Sequence, residues 1–242
     1  MAVFGIIGFP LGHSFSKKYF EEKFQKLGIE GSNSFQNFSI ESLDDLPQVL
    51  STQDLQGFCI TIPHKKNIIP FLSEVSPEVQ EMGACNCVRI KDGKLFGYNT
   101  DIVGFEKSFA QKLTPERNKA LILGTGGASA AVAFVLRKLN IPHQFVSRNT
   151  ADTWTYEQLT PEIMDEYKII VNCTPLGMSP NIDDAPSIPY QYITSQHYLY
   201  DLIYNPAETK FLALGKEKGA ATENGLQMLI LQAEENWRIW NS

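Results

Sequence analysis

Ala120-Leu121-Ile122-Leu123-Gly124-Thr125-Gly126-Gly127-Ala128-Ser129 reads as a short apolar strand, a glycine-rich turn and the first residues of a helix, which continues through the apolar residues 130–139. A strand feeding a helix through such a turn is the centre of a parallel βαβ unit. Gly124 permits the tight turn, Gly126 lets backbone approach a pyrophosphate, and the helix N-terminus stabilises its charge. Ser129 stands at the third position, where Gly or Ala is usual. About 20 residues on, a binder of NAD places a carboxylate against the ribose 2′-hydroxyl. Here that place holds Val146-Ser147-Arg148-Asn149-Thr150. An arginine suits a 2′-phosphate instead, which points to NADP. The competing readings are a purely structural turn and a solvated loop charge at Arg148.

Outward from this stretch, β-branched runs alternate with helical periodicity, which predicts an α/β protein of mainly parallel sheets. Further strands are read at 143–146, 169–172 and 198–202, and an amphipathic last helix at 226–240. Toward the N-terminus, a strand at 2–7 precedes a helix carrying Phe15, Tyr19, Phe20, Phe24 and Leu27, which Gly28 ends. A strand at 35–40, a helical pattern at Leu43, Leu46, Val49 and Leu50, and a strand at 57–62 follow. Strands at 84–90 and 95–98 are joined by Lys91-Asp92-Gly93-Lys94, and Asp101 opens another helix. Thr114-Pro115-Glu116-Arg117-Asn118 reads as a passage between domains, and 242 residues suit two modest α/β domains.

Composition excludes several classes of partner. The net charge is −6 and no basic cluster exceeds Lys65-Lys66, which argues against nucleic acid. No apolar run is long enough for a bilayer, so no membrane partner is expected, and the first residues read as a strand rather than a secretion signal. Cys59, Cys85, Cys87 and Cys173 lie in apolar strand-like contexts, the pattern of buried thiols in a reducing cytoplasm. No metal is expected at Cys85-Asn86-Cys87.

Three polar stretches each end an apolar run, where an open α/β sheet gathers its ligand-binding groups. They are Gly8-Phe9-Pro10-Leu11-Gly12-His13-Ser14-Phe15-Ser16, Thr61-Ile62-Pro63-His64-Lys65 and Asn99-Thr100-Asp101. Their hydroxyls, amine, amide and carboxylate suit a small, polyhydroxylated, anionic molecule. Lys65 and Asp101 form the best acid/base candidate: a lysine delivers a proton to a carbonyl oxygen under reduction while an aspartate holds the amine and a substrate hydroxyl. Ser14 and Ser16, at a helix start, offer hydroxyls and backbone donors to a carboxylate. Taken singly, each residue also has a structural reading: helix caps at Ser14, Ser16 and Asp101, and turn residues at Asn86 and Asn99. His13 and His64 receive no chemical role.

Taken together, the motifs resemble the shikimate dehydrogenase family nearly end to end. The blocks are 8–16, Gly57-Phe-Cys-Ile-Thr-Ile-Pro-His-Lys65, Gly83-Ala-Cys-Asn-Cys-Val88, Gly97-Tyr-Asn-Thr-Asp-Ile-Val-Gly104, Leu123-Gly-Thr-Gly-Gly-Ala128, Asn172-Cys-Thr-Pro-Leu-Gly-Met178, Asp201-Leu-Ile-Tyr-Asn-Pro-Ala-Glu-Thr209 and Asn224-Gly-Leu-Gln-Met-Leu-Ile-Leu-Gln-Ala233. The resemblance implies NADP-linked interconversion of 3-dehydroshikimate and shikimate in aromatic amino-acid biosynthesis, by a cytoplasmic monomer or homodimer. It implies an N-terminal, mainly parallel α/β substrate domain (1–101 with 225–242) and a C-terminal Rossmann NADP domain (102–224), the last helix returning to the first. Lys65 and Asp101 match the catalytic pair. Ser14, Ser16, Thr61, Asn86, Asn99, Tyr204 and Gln232 match the substrate site, which Asp101 shares. Gly124, Thr125, Gly126, Gly127 and Ala128 match the pyrophosphate loop, Ser147 and Arg148 the 2′-phosphate clamp, and Thr174, Gly225 and Met228 further cofactor positions.

Some positions depart from the family. Ser147 replaces the usual Asn, Cys85 and Cys87 replace the usual Val and Thr beside Asn86, and Lys17-Lys18 stands where proline is common. None removes a reacting group. A quinate or dual quinate/shikimate dehydrogenase, which must fit one more hydroxyl, remains the near alternative; a non-catalytic cofactor-binding relative is the distant one.

Overall fold

Side-chain alternation organises the first sheet. A computed structural model of the chain describes residues 1–12, 14–148 and 152–242. In β1 (Ala2–Gly8), Val3 and Ile7 enter one apolar cluster while Phe4 and Ile6 enter another, so the strand is buried on both faces. Its partners are β2 (Asn33–Ser39), β3 (Leu55–Ile60), β4 (Glu74–Val75), β5 (Cys87–Lys91) and β6 (Lys94–Tyr98), in the order β2-β1-β3-β5-β6-β4. The β2, β1 and β3 strands are parallel, as are β4 and β6, whereas β5 runs antiparallel to both β3 and β6. The hairpin at 91–94 therefore makes this sheet mixed.

Phe4, Ile6, Phe35, Cys59 and Cys87 pack with Phe20 and Phe24 of α1 (Phe15–Leu27) and with Ala233, Ile239 and Trp240 of α8 (Leu226–Trp240). The opposite face packs Leu46 and Val49 of α2 (Leu46–Leu50) and Val79 of α3 (Pro77–Met82). Each such side chain contributes about 1.5–3 kcal/mol on burial. Cys85 belongs to this second cluster and Cys87 to the first: two residues apart on one strand they would share a face, and they part because β5 begins only at Cys87. The last turn of α8 seals the sheet at Gly57, where any Cβ would collide with Trp240, whose indole Nε1 donates to the Val88 carbonyl at 2.9 Å.

The chain divides into two units, Met1–Thr100 with Ala233–Ser242, and Asp101–Gln232. The polar break at 114–118 lies inside the second, and α8 contributes its first residues to the second unit and its last to the first. The second unit holds α4 (Asp101–Phe109), β7 (Ala120–Leu123), α5 (Gly127–Lys138), β8 (His143–Val146), α6 (Pro161–Glu166), β9 (Ile169–Asn172), β10 (Tyr198–Asp201), α7 (Lys210–Glu217) and β11 (Ala221–Glu223). Its sheet is wholly parallel, ordered β11-β10-β9-β7-β8. Trp154 adds an isolated parallel bridge to Val146 beyond β8. The order is thus that of the doubly wound dinucleotide fold, 3-2-1-4-5-6, with its third strand reduced to one bridge.

Several strand ends differ from the sequence reading by one to three residues, and two of them have a visible cause. The strand expected at 57–62 stops at Ile60, because the Thr61 carbonyl accepts from His64 N at 3.0 Å and starts a turn. The strand expected from 84 begins at Cys87, because Cys85 N donates to the Lys65 carbonyl at 2.8 Å and runs across the sheet end.

Candidate active site

Order reverses around β1 in the first sheet, with β2 on one side and β3 on the other, and such a switch point opens a crevice at the carboxyl ends of the strands. The chain leaves β1 at Gly8 and enters α1 at Ser14, so Ser14 and Ser16 stand at that end. Ser14 is the N-cap: its Oγ accepts from Lys17 N at 3.3 Å, which leaves the hydroxyl hydrogen to donate to a ligand. Capping and carboxylate binding are therefore compatible uses of one side chain. Ser16, in the first turn, is buried.

From the end of β3 the chain passes through Thr61 to Lys65, both partly buried. Thr61 N donates to the Ile7 carbonyl at 2.9 Å, which holds the turn against β1. His64 is 2% exposed and its Nε2 lies 2.8 Å from the Ile40 carbonyl, a structural tie that agrees with giving it no chemistry. His13 lies outside the described residues.

Because β5 is antiparallel to β3, its start meets the end of β3. Ile60 N donates to the Asn86 carbonyl at 2.8 Å, and Asn86 N to the Tyr98 carbonyl at 3.0 Å, which ends β6 at the same edge. Asn86 is buried, and its Oδ1 accepts from Thr100 N at 2.7 Å, with Thr100 Oγ1 3.2 Å away. Asn99 has the complementary arrangement, its Nδ2 donating to the Ala84 carbonyl at 2.9 Å. Thr100 also donates to Asn236 Oδ1 at 2.7 Å. Thr100 and Asn236 are buried orienting groups that motif reading passed over, because a threonine in Asn-Thr-Asp and an asparagine mid-helix carry no local signal. Burial, with the neighbouring Cys59, Cys85 and Glu235, pushes the Cys87 thiol up, so it is inert beside Asn86.

In the second unit Asp101 opens α4, whose Gly104 lets α8 approach closely: a Cβ there would strike the Met228 carbonyl and meet Gln232 Cβ at 3.2 Å. Gln232 is buried on the facing helix. Gly225, at the start of α8, is equally constrained, since a Cβ would collide with the Leu202 carbonyl. Tyr204 is exposed in the loop after β10.

The switch point of the second sheet lies between β7 and β9, and a cavity of about 610 Å³ opens at their carboxyl ends. Gly124, Thr125, Gly126, Ser147, Arg148 and Thr174 line it. Gly124 takes φ +93°, a conformation glycine alone adopts readily, and a Cβ on Gly126 or Gly127 would meet nothing within 4 Å. Bare backbone at a helix N-terminus facing open space fits a pyrophosphate. Gly127 and Ala128 form the first turn of α5, and Ser129, buried, donates to the Gly126 carbonyl at 2.6 Å, which satisfies its hydroxyl. Ser147 Oγ lies 2.8 Å from Thr153 Oγ1.

The cavity wall also includes Tyr156, Glu157 and Ser187, which the sequence reading did not single out because the loop carrying them has no motif. Its own backbone N–H and the Thr155 hydroxyl hold the Glu157 carboxyl below the usual carboxylate range. Among the described residues no group of three His, Cys, Asp or Glu is arranged to hold a metal ion, and no helix is long and apolar enough to cross a membrane.

Comparison with known proteins agrees with this architecture. Residues 6–88 match the family described as the shikimate dehydrogenase substrate binding domain. A shikimate dehydrogenase (NADP+) from Methanococcus maripaludis is 37% identical, covering 98% of this chain and 90% of its own. One from Staphylococcus epidermidis is 34% identical, covering 99% of this chain and 92% of its own. Among solved structures, the shikimate 5-dehydrogenase of Thermus thermophilus, in complex with NADP(H) and shikimate, superposes with a TM-score of 0.87 at 31% identity, covering 99% of this chain and 93% of that one.

Proposed function

Since the chain belongs to the shikimate dehydrogenase family, we propose that it catalyses the NADP-linked, reversible reduction of 3-dehydroshikimate to shikimate. The observation that supports this most is the gathering of Ser14, Ser16, Thr61, Lys65, Asn86 and Asn99 at one end of the first sheet. A carboxylate, a ring carbonyl and several hydroxyls need that combination of donors and a proton source.

In this reading Lys65 delivers the proton to the carbonyl oxygen as it gains charge, and Asp101 orients the lysine amine and a substrate hydroxyl. Ser14 and Ser16 donate to the carboxylate, and Thr61, Asn86, Asn99, Tyr204 and Gln232 complete the substrate contacts. NADPH, when bound, supplies the hydride. Gly124, Thr125, Gly126, Gly127 and Ala128 hold its pyrophosphate, Ser147 and Arg148 its 2′-phosphate, and Thr174, Gly225 and Met228 the rest. We assign the substrate domain to 1–101 with 225–242 and the cofactor domain to 102–224. The chain works in the cytoplasm as a monomer or homodimer. The buried thiols of Cys59, Cys85 and Cys87 support a reducing compartment.

Two substitutions test the assignments separately. Arg148→Ala should raise the Michaelis constant for NADP about tenfold or more, since a charge-assisted bond contributes about 1.5–3 kcal/mol, and leave use of NAD little changed. Equal losses with both cofactors would mean that Arg148 only supports its loop. Ser14→Ala and Ser16→Ala should each weaken shikimate use by about 1.5–3 kcal/mol, mainly through the Michaelis constant, without altering cofactor binding. The double variant should discriminate far less than the parent against an analogue whose carboxylate is a neutral amide. If both reject that analogue equally, the serines serve only α1 and the carboxylate is held elsewhere.

A further inference from the structure

Asp201 and Asn172 are the last residues of the neighbouring strands β10 and β9, paired in parallel register, and neither has any exposed surface. Three donors converge on the Asp201 carboxylate: Asn172 Nδ2 at 3.0 Å and Ile203 N at 3.0 Å on Oδ1, and Thr209 Oγ1 at 2.6 Å on Oδ2. Burial pushes this carboxyl up to about 6, against the three hydrogen bonds that favour its charge, and donors on both oxygens hold it as an acceptor. It therefore requires the NH2 end of Asn172 to face it and turns the amide oxygen the other way.

That oxygen accepts from Thr174 N at 3.0 Å and from Thr174 Oγ1 at 2.7 Å, and Thr174 Oγ1 accepts in turn from Leu176 N at 3.3 Å. Thr174, Pro175 and Leu176 form one wall of the 610 Å³ cavity. We infer that Asp201 is a positioning residue for the cofactor: by fixing which end of the Asn172 amide faces the loop, it presets the cofactor-facing wall at Thr174–Leu176. It touches no reacting atom and acts wholly through Asn172. The inference rests on the reading of this cavity as the NADP site.

The relay can be cut at Asn172, whose Nδ2 also donates to the Leu176 carbonyl at 3.5 Å. Asn172→Leu keeps Asp201 with Ile203 and Thr209 but removes both the donor to Asp201 and the acceptor for Thr174. It should raise the dissociation constant for NADPH, read by the fluorescence of the bound nucleotide, about tenfold. Asp201→Ala should do the same, and Asp201→Asn, whose Oδ1 still accepts from Asn172 and Ile203, should stay within about threefold of the parent. Thr209→Val, which removes the donor unrelated to the loop, should lower the melting temperature with NADPH affinity unchanged.

The inference is overturned if Asn172→Leu lowers the melting temperature as Thr209→Val does while NADPH affinity stays within twofold. Should Asp201→Ala not accumulate as folded protein, Asn172→Leu and Asp201→Asn decide between these outcomes. Failure of the parent chain to bind NADPH would instead overturn the reading of the cavity, and this inference with it.

Discussion

Replacing Lys65 with alanine should lower turnover by about 10²- to 10⁴-fold, the range for loss of a general acid or base, while shikimate binding changes far less. The expectation follows from placement. Lys65 is partly buried at the carboxyl end of the first sheet, and its carbonyl is anchored by Cys85 N at 2.8 Å, so the residue is held at the same edge as Asn86. Its neighbour Lys66 is exposed, and Lys66→Ala should leave turnover nearly unchanged. Single-turnover rates with saturating substrate and cofactor separate chemistry from binding. A Lys65→Ala enzyme with near-parental turnover would remove the lysine from the mechanism.

The Asp101→Asn variant should lose turnover on the same scale, because it keeps the shape of the side chain and removes the charge to which we assign the orienting of the lysine amine. Asp101 sits at the first position of α4, one turn before Gly104, where α4 and α8 approach most closely and where Gln232 is buried on the facing helix. A residue that only begins a helix would lose about 0.5–2 kcal/mol of stability when its capping group is removed, and asparagine caps as well as aspartate does. Unchanged melting with lost turnover therefore identifies catalysis. Retained turnover would reduce Asp101 to a helix start.

Much of this site is legible in the sequence because its residues lie at the ends of apolar runs, and strand ends are where an open sheet presents its groups. The turn Gly124–Gly127 could be read directly, since a positive φ at Gly124 and bare backbone at Gly126 are needs that composition records. What could not be read depends on partners far apart in sequence. Nothing local marks Asp201 as bonded to Asn172, 29 residues away, or Asn236 to Thr100, 136 residues away. The loop that carries Tyr156 and Glu157 into the cavity wall was also unreadable, because the third strand expected in a doubly wound sheet has shrunk to the bridge at Trp154. The mixed pairing of the first sheet was half visible: the Asp92-Gly93 turn announces a hairpin, but not that β5 would bring Asn86 beside the end of β3.

The central claim is tested most directly by following nicotinamide absorbance when the purified chain is mixed with shikimate and NADP. The account predicts formation of NADPH, much slower turnover when quinate replaces shikimate, and poorer use of NAD. Absence of turnover with shikimate and NADP, or faster turnover with quinate, would contradict it.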